Sequence, residues 1–401
     1  MKKSRFSKIP KCSDDELFNI LEKAKFNENP NKMNLSIGML HDEKGSLIVF
    51  ESVELANKLI YESNLNKEYP QFGGSQEFTT AVQNLFFQSN SNVVNEGRVL
   101  VSQIITGGSA LRISAEIVEK FITKKIHVSN HTFGPYLNIF NKMDIFYYPY
   151  FNEEKQSLDT EAFLEYLNKI DDGSFINLQL SSHNPTALDF SKEEWDKICE
   201  VMKAKKHLAQ FDVAYLGYGT GSIEGDLYPI RKFSENYVEM FICYSSAKNF
   251  TNYSDDVGTL ICVLNNKENI EKLKSHIIIL SRSLFSFVSL YGARIIEKVL
   301  NTPELNKLRN EEQSKIYERI SSIRQKVTEE IEKKGVNLNL NFLKSQSGIY
   351  MFLNLNKDQV EILAKKYSIF LCSGGRVNLS AISEDKIPYF VDSLKEILDE
   401  N

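Results

Sequence analysis

Short apolar runs alternate with amphipathic runs from about residue 94 to residue 265 of this chain. Seven of the apolar runs have the length and composition of β-strands: Val99–Thr106, Lys125–Ser129, Asp144–Tyr148, Phe175–Leu180, Leu208–Asp212, Glu239–Tyr244 and Thr259–Val263. The amphipathic runs between them predict helices over Ala110–Ile122, Thr160–Lys169, Lys192–Lys205 and Lys267–Ile279. Strands that alternate with helices favour a mostly parallel sheet with crossover helices. The pattern therefore predicts an α/β fold.

The segments on either side of this region indicate a second, smaller unit. A long helical pattern extends from about Gly292 to Lys334, and the stretch from Gly348 to Asp399 has the pattern of a small α/β unit. The first 45 residues lie outside the alternating region, so we expect them to pack on that unit. We therefore predict a large domain over residues 47–310 and a small domain built from residues 1–46 and 311–401.

Charge and hydropathy argue against two classes of partner. The 401 residues carry a formal net charge of −5, and basic and acidic residues are interspersed, so no nucleic-acid partner is expected. No stretch approaches the ~18 consecutive apolar residues that a membrane span requires, so no membrane partner is expected either.

The cysteines and the N-terminus indicate a cellular location. The five cysteines form no CxxC pair, which indicates reduced thiols rather than a disulfide framework or a zinc site: Cys12, Cys199, Cys243, Cys262 and Cys372. The basic residues at the N-terminus have no apolar segment behind them, so a secretory signal is not expected. We therefore expect a cytoplasmic protein, with a short organellar presequence as the alternative.

The first motif with chemical content is Thr106-Gly107-Gly108-Ser109, which follows a predicted strand and opens a predicted helix. The N-terminus of a helix presents unpaired N–H groups and a partial positive charge, and therefore binds phosphate. Glycines let the backbone approach an anion closely, and Thr106 and Ser109 add hydroxyl groups. The alternative is a plain strand-to-helix turn in which Ser109 is the N-cap.

Polar residues also follow three of the predicted strands, about thirty residues apart. Asn184 follows the Phe175–Leu180 strand, Asp212 and Tyr215 close the next one, and Lys248 follows the third. Open α/β sheets bind ligands beyond the carboxyl ends of their strands, so one edge would collect an amide, a carboxylate, a phenol and an amine. Taken singly, each residue has a simpler explanation as part of a turn, a loop or the solvated surface.

These four side chains suit the chemistry of an aldehyde cofactor. A lysine whose amine is not always protonated forms an imine with an aldehyde. Pyridoxal phosphate acts as an electron sink only while its ring nitrogen stays protonated, which requires an adjacent carboxylate. An amide and a phenol that donate hydrogen bonds to the ring oxygen would stabilise its anionic form.

Eight motifs in a fixed order resemble one known family: Asn31–Gly38, Glu68-Tyr69 with Gly73 and Gly74, Gly107–Arg112, His183–Thr186, Phe211–Tyr215, Ser245–Phe250, Gly292–Ile295 and Gly375–Asn378. The chain resembles the class I, fold-type I aminotransferases, which depend on pyridoxal phosphate, and among them the aspartate aminotransferases. The resemblance covers nearly the whole chain. It implies a large domain around a mostly parallel, seven-stranded sheet, a smaller α/β domain from both chain ends, and a homodimer.

The resemblance also implies which residues hold pyridoxal 5′-phosphate: Thr106, Gly107, Gly108, Phe133, Asn184, Asp212, Tyr215, Ser245, Lys248 and, from the second subunit, Tyr69. Lys248, Asp212 and Tyr215 are the implied catalytic residues. Lys248 would form a Schiff base with the cofactor aldehyde and then move a proton, and Asp212 would pair with the ring nitrogen. Tyr215 would contact the ring oxygen together with Asn184, and Phe133 would stack on the ring.

For the amino-acid substrate, the resemblance implies a second set of residues: Ile37, Gly38, Asn184, Arg282 and Arg376. Arg376 would bind the α-carboxylate through a bidentate fork, and Arg282 would bind the distal carboxylate from the partner subunit. Each arginine has an alternative. Arg376 follows two glycines and would then only belong to a turn. Arg282 is not followed by the Asn-Pro-Pro stretch that the family has there and would then be a surface arginine. The implied partners are a small amino acid and a 2-oxo acid.

One position departs strongly from the family pattern. Eight residues after its lysine the family has an arginine that pairs with the cofactor phosphate, whereas this chain has Asp256 (256 − 248 = 8). A carboxylate that faces a phosphate should repel it. Smaller departures are Phe133 in place of the stacking tryptophan and Tyr136 in place of the histidine that supports the ring-nitrogen aspartate.

Three hypotheses about function follow from these patterns. The leading one is an aspartate aminotransferase that acts on aspartate and 2-oxoglutarate. The second is an aminotransferase with a different amino-acid specificity, for example for aromatic side chains. The third is a degenerate homologue that binds pyridoxal phosphate weakly or not at all and has kept the fold as a binding or structural dimer.

Overall fold

The computed structural model describes residues 4–11 and 15–399, so Cys12 lies outside the described residues. Its strands, in chain order, are β1 Met33–Asn34, β2 Val99–Ile104, β3 Lys125–Ser129, β4 Asp144–Tyr148, β5 Phe151–Asn152, β6 Ser157–Leu158, β7 Phe175–Gln179, β8 Leu208–Val213, β9 Met240–Ser245, β10 Gly258–Val263, β11 Tyr350–Phe352, β12 Ile369–Phe370 and β13 Arg376–Asn378.

Helices surround these strands. In chain order they are α1 Glu16–Lys25, α2 Glu51–Glu62, α3 Gln76–Phe86, α4 Asn92–Asn95, α5 Gly107–Phe121, α6 Tyr136–Ile139, α7 Thr160–Lys169, α8 Lys192–Ala204, α9 Ile223–Asp226, α10 Tyr228–Glu235, α11 Ile270–Phe285, α12 Tyr291–Asn301, α13 Pro303–Lys334, α14 Leu340–Lys344, α15 Lys357–Tyr367 and α16 Ile387–Asp399. In the described part of the chain, none has the length and hydropathy of a membrane span.

The central sheet has seven strands in the order β2-β10-β9-β8-β7-β3-β4. Strand β10 is antiparallel to both of its neighbours, and the other pairs are parallel. Every residue of β9 and β10 is buried, as expected for strands covered on both faces of the sheet. The predicted α/β fold with a mostly parallel sheet is confirmed, and each of the seven predicted strands is present.

The turn that opens α5 does not have Ser109 as its N-cap, which was one of the two interpretations of the sequence. Thr106, not Ser109, is the N-cap, because its Oγ1 accepts a hydrogen bond from the Ser109 amide at 3.2 Å. The helix therefore begins at Gly107. The interpretation of Ser109 as the N-cap is wrong, and the helix N-terminus lies directly at the two glycines.

The long helical pattern after Gly292 is two helices. Helix α12 ends at Asn301 and α13 begins at Pro303, because proline has no amide hydrogen to continue a helix but suits its first turn. Helix α13 ends at Gly335, which has a left-handed conformation with φ of 62°. The predicted domain boundary at residue 310 falls within α13 and stays a prediction.

The two ends of the chain meet in a short parallel sheet. Met33 pairs with Ile369 and Asn34 with Phe370, so the segment before the large sheet packs on the last hundred residues. The Leu35 amide continues this contact through a hydrogen bond of 3.0 Å to the Phe370 carbonyl. This pairing brings the N-terminal segment and the β11–β13 strand pair to the same side of the molecule.

We expect the side chain of Ile261 to contribute strongly to stability, because it is fully buried in β10, between β2 and β9. Ile261→Ala should lower the free energy of unfolding by about 2–5 kcal/mol, measured by urea unfolding at one protein concentration. Ile122→Ala removes the same atoms from a side chain that is 57% exposed and should cost much less. Equal losses in both variants would contradict this account of the core.

Candidate functional site

The polar residues predicted at the strand ends do come together. The ladder pairs Asp212 of β8 with Gln179 of β7 and with Cys243 of β9, so the three strands end at one edge. Asn184 lies in the loop after β7, and Lys248 lies three residues beyond the end of β9. The Lys248 amine is 5.7 Å from the centre of the Tyr215 ring.

Burial lowers the pKa of the Lys248 amine, while the nearby carboxylates of Asp256 and Asp212 oppose this effect and the positive charge of Arg376 adds to it. The direction follows from physics, because a protonated amine loses more hydration than a neutral one when it is enclosed. A larger fraction of this amine is therefore neutral at a given pH than for a surface lysine. A neutral amine is the nucleophilic form.

Burial also raises the pKa of Asp212, to about 6, while a hydrogen bond from Tyr136 and the charge of Lys248 act in the opposite direction. The Tyr136 hydroxyl donates to Asp212 Oδ2 at 2.5 Å, and its side chain is fully buried. The sequence pointed to Tyr136 only as a departure from the family pattern. In the structure it is the residue that orients Asp212.

Arg376 reaches this edge from the small β11–β13 sheet. Its Nη1 donates to Asn184 Oδ1 at 2.6 Å, and its Nη2 donates to the Ser36 carbonyl at 2.5 Å. Its Nε is buried and has no hydrogen-bond partner among the described residues. A buried guanidinium with an unused donor in a pocket is suited to bind a carboxylate. Arg376 is therefore not a simple turn residue.

Tyr350, which the sequence analysis did not identify, completes this part of the pocket. Its hydroxyl lies 2.8 Å from the Tyr215 hydroxyl, and the Arg376 guanidinium lies 4.4 Å from the centre of its ring. A Cβ atom at Gly38 would lie only 2.0 Å from the Tyr350 hydroxyl, so only glycine fits there. The only sequence signal was an aromatic residue in a short apolar strand, which is ordinarily a core residue.

The predicted phosphate-binding residues also lie together. Gly107 and Gly108 form the first turn of α5, and a Cβ atom at Gly107 would lie 2.9 Å from the Ser245 Cβ. The Thr106 hydroxyl lies 3.1 Å from the Ser109 hydroxyl. The amide groups of a helix N-terminus and these hydroxyl groups therefore face a small space beside Ser245.

Asp256 lies at this same space. The Ser245 hydroxyl lies 3.2 and 3.4 Å from the two carboxylate oxygens of Asp256 and donates a hydrogen bond to them. Burial raises the pKa of Asp256, and the charge of Lys248 and the Ser245 hydrogen bond lower it. The carboxylate is thus partly buried beside Ser245, whose Cβ lies next to the first turn of α5.

The remaining predicted residues divide into two groups. Phe133 packs edge-on against the Tyr136 ring with 5.5 Å between the ring centres, and the Ile37 carbonyl accepts a hydrogen bond from Asn378 at 2.7 Å. Tyr69 and Arg282 are not brought to the pocket of their own chain. The Tyr69 side chain is 82% exposed, and Arg282 lies on an exposed part of α11 with its guanidinium 5.9 Å from the Phe72 ring centre.

Comparisons with known proteins point to one family. The family model described as aminotransferase class I and II matches residues 30–394. The mitochondrial aspartate aminotransferase of Gallus gallus is 29% identical over 398 residues, which are 98% of this chain and 94% of that protein. The mitochondrial aspartate aminotransferase of Schizosaccharomyces pombe is 31% identical over 393 residues, which are 97% of this chain and 90% of that protein.

Solved structures give the same result. The aspartate aminotransferase from Saccharomyces cerevisiae cytoplasm has a TM-score of 0.95 and 30% identity, with 99% of each chain covered. The aromatic-amino-acid aminotransferase from Burkholderia pseudomallei, solved covalently bound to pyridoxal phosphate, has a TM-score of 0.94 and 26% identity. That match covers 99% of this chain and 100% of the other.

The raised pKa of Asp212 predicts a pH-dependent effect on stability. Because the folded-state pKa is about 6 and the ordinary value is 3.8, the folded chain holds this proton more tightly. The carboxylate therefore costs about 3 kcal/mol of unfolding free energy above pH 6, and the cost decreases as the pH falls. Asp212→Asn should stabilise the cofactor-free protein at pH 8 by an amount of this order, and by about half as much at pH 5, in urea unfolding.

Asp144→Asn is the matched control, because Asp144 is exposed on the edge strand β4. A stabilisation by Asp212→Asn that is equal at both pH values, or a destabilisation at pH 8, would contradict the desolvation of Asp212.

Proposed function

This chain belongs to the class I and II aminotransferases, and we propose that it transfers an amino group between aspartate and 2-oxoglutarate with pyridoxal 5′-phosphate. The family model covers most of the chain, and solved relatives share its fold over 99% of its length. This agreement confirms the fold-type I architecture that the sequence resemblance implied.

The observation that carries the proposal is the position of Arg376 beside Asn184, with its buried Nε unpaired. An amino acid whose α-carboxylate binds Arg376 would lie between this guanidinium and the Lys248 amine. The Lys248 amine lies 5.7 Å from the Tyr215 ring centre, and the Arg376 guanidinium lies 4.4 Å from the ring centre of Tyr350, whose hydroxyl is 2.8 Å from that of Tyr215. The Tyr350 hydroxyl occupies the place that a side chain at position 38 would need, so Gly38 allows Tyr350 to lie beside Tyr215.

The described residues fit the ring end of pyridoxal phosphate. Lys248 supplies the amine that would hold the aldehyde, Asp212 the carboxylate for the ring nitrogen, and Tyr215 and Asn184 the groups for the ring oxygen. Gly107, where a side chain would clash with Ser245, and Gly108 would offer the backbone amides of the α5 N-terminus to the phosphate. When bound, the cofactor supplies an electron sink for the electrons of the substrate Cα–H bond.

The chain's own residues perform the proton transfers and the positioning. The Lys248 amine, whose pKa is lowered by burial, takes the proton from the substrate Cα as a general base. Tyr136 holds the Asp212 carboxylate in one orientation through its hydrogen bond of 2.5 Å. Arg376 fixes the α-carboxylate, so the Cα–H bond is oriented toward Lys248.

A second copy of the chain would complete the substrate site. Arg282 and Tyr69 point away from the pocket of their own chain, and both lie on a surface with exposed apolar residues: Tyr69, Phe72, Ile279 and Leu284. Tyr69 and Phe72 both stack on Phe287, which makes this surface continuous. An exposed apolar patch of this kind favours self-association. We infer a homodimer in which Arg282 of the partner subunit binds the distal carboxylate.

Two other functions have a specific observation in their favour. An altered amino-acid specificity is favoured by the likeness to the Burkholderia pseudomallei aromatic-amino-acid enzyme, which is almost as close in fold as the yeast protein. A degenerate homologue with weak cofactor binding is favoured by Asp256, which lies at the phosphate space.

We also propose a cytoplasmic location. Two observations support this proposal: Cys199, Cys243, Cys262 and Cys372 are free thiols, and the similar yeast structure is of an aspartate aminotransferase from the cytoplasm. Fractionation of cells that express the full chain tests this location, and enrichment with a mitochondrial or plastid marker would contradict it.

We expect addition of pyridoxal phosphate to produce a visible absorption band, and addition of aspartate to remove it while oxaloacetate forms. Borohydride reduction followed by peptide mass spectrometry should place the cofactor on Lys248, and Lys248→Ala should lose both attachment and transfer. Lys272→Ala, on the exposed face of α11, is the control. The proposed function fails if the cofactor attaches but no oxaloacetate forms at any aspartate concentration.

Substitution of the two arginines should separate the specificity hypotheses. Arg282→Ala should lower kcat/KM for aspartate by roughly 100-fold, about 3 kcal/mol, and change kcat/KM for phenylalanine little, because only aspartate has a distal carboxylate. Arg376→Ala should lower both values, because every amino acid has an α-carboxylate. Arg231→Ala, which removes contacts to Glu224 and to the Phe86 carbonyl but none to the predicted site residues, is the control. Equal losses for both substrates in Arg282→Ala would support the altered specificity instead.

A further inference from the structure

Asp256 lies where three elements of the phosphate space meet. It is two residues before β10, whose first residue Gly258 pairs with Ile104 at the end of β2 and with Ser245 at the end of β9. A Cβ atom at Gly258 would lie 2.2 Å from the backbone of Thr106, which shows how closely β10 passes the start of α5. The loop before β10 therefore has no freedom to carry Asp256 far from the helix terminus.

Asp256 uses a donor that a bound phosphate would need. A serine hydroxyl has a single hydrogen to donate. In this structure the Ser245 hydroxyl donates it to the carboxylate of Asp256. While Asp256 is ionised, Ser245 can only offer lone pairs to a phosphate, which is repulsive. Protonation of Asp256 would remove the negative charge and also release the Ser245 hydrogen for the phosphate.

The charged groups around Asp256 offer little compensation. Lys248 is the cation that acts on it, and the Asp212 carboxylate acts on the same lysine. Burial raises the pKa of the Tyr244 phenol on β9, the positive charge of Arg309 opposes this effect, and the charge of Asp256 adds to it. Asp255 is exposed and accepts a hydrogen bond from Ser254. Between residues 15 and 399, no lysine or arginine forms an ion pair with Asp256.

Attachment of the cofactor changes this balance further. The Lys248 amine is the group that would hold the aldehyde, so its charge is no longer free to neutralise Asp256. A phosphate dianion and a carboxylate would then share one partly buried space, and two like charges in such a space do not both stay ionised. The second pKa of a phosphate monoester is about 6, so a proton is readily available to either group near neutral pH.

We propose that Asp256 makes this site bind the cofactor phosphate together with one proton, which the carboxyl group and the phosphate share. The inference rests on the proposed function, because it assumes that pyridoxal phosphate is the ligand. The raised pKa of Asp256 in the free protein acts in the same direction. The site is then selective for the protonated form of the phosphate, and its affinity falls as the pH rises.

Pyridoxamine 5′-phosphate and pyridoxamine are suitable probes, because neither has an aldehyde and neither attaches to Lys248. The ratio of their Kd values isolates the contribution of the phosphate, since other titrating groups act on both probes. One linked proton weakens binding by up to tenfold per pH unit above the pKa values involved. We call the Kd of pyridoxamine divided by the Kd of pyridoxamine 5′-phosphate the phosphate advantage. From pH 6.5 to 8.5 we expect this phosphate advantage to fall by at least about tenfold in the unmodified protein, measured by fluorescence titration.

Asp256→Asn is the matched variant, because it keeps the shape and removes the charge. Its phosphate advantage should be larger at pH 8.5 than in the unmodified protein and nearly independent of pH. Asp256→Arg should raise the advantage further. Asp255→Asn, a change at the exposed neighbouring carboxylate, should leave the pH profile unchanged. Circular dichroism and the urea midpoint of each variant verify that it is folded.

Proton uptake gives a second readout that is independent of activity. Titration calorimetry at pH 8 in two buffers with different ionisation enthalpies should show uptake of about one proton when the unmodified protein binds pyridoxamine 5′-phosphate. Asp256→Asn with the same probe, and the unmodified protein with pyridoxamine, should show much less.

A phosphate advantage that does not depend on pH, with no proton uptake, would overturn the inference while leaving the proposed function intact. Failure of every variant, Asp256→Arg included, to bind either probe would instead overturn the proposed function.

Discussion

Lys248 and Asp212 are held together, partly out of water, at the carboxyl edge of a sheet whose strands cannot move independently. Loss of hydration changes the two groups in opposite directions, lowering the pKa of the amine and raising the pKa of the carboxyl group. Both changes reduce the charge that the pocket must bury in the absence of a ligand. The burial of β9 and β10 on both faces stabilises the sheet and offsets the free-energy cost of placing these two groups out of water.

The substrate end of the pocket depends on contacts between distant parts of the chain. Arg376 belongs to the last strand, yet its partners are Asn184 in the large sheet region and the Ser36 carbonyl near the N-terminus. The pairing of β1 with β12 brings these segments together. Tyr350 joins them, because its hydroxyl contacts Tyr215 and its ring lies beside Arg376. A change in any of these segments would therefore alter the orientation of the α-carboxylate.

At the phosphate end, a single residue, Asp256, changes the charge of the space beside Ser245 and the α5 N-terminus. The N-terminus of α5 and Ser245 form a space suited to an anion, and Asp256 adds a carboxylate to it. A phosphate dianion and an ionised carboxylate would repel each other in this space, which is the reason for our proposal that they share one proton. The charge of Asp256 also acts on the Lys248 amine, whereas Asp212 keeps its hydrogen bond from Tyr136 and Arg376 its hydrogen bond to Asn184.

The sequence by itself determined the seven strands of the central sheet and the edge of that sheet at which the predicted site residues meet. Apolar periodicity is a local property, so it located the seven strands correctly, and the spacing of Asn184, Asp212 and Lys248 predicted their meeting at one edge. The sequence also identified Asp256 and Tyr136 as departures from the family pattern.

Only the tertiary structure decided which contacts those side chains make: Tyr136 donates a hydrogen bond to Asp212, and Asp256 accepts one from Ser245. It also found Tyr350, whose contact with Tyr215 spans 135 residues of sequence. Such contacts depend on how distant segments pack, and no local pattern encodes that packing. Arg282 and Tyr69 are exposed and lie outside the pocket of their own chain, so their predicted roles depend on the homodimer that we propose.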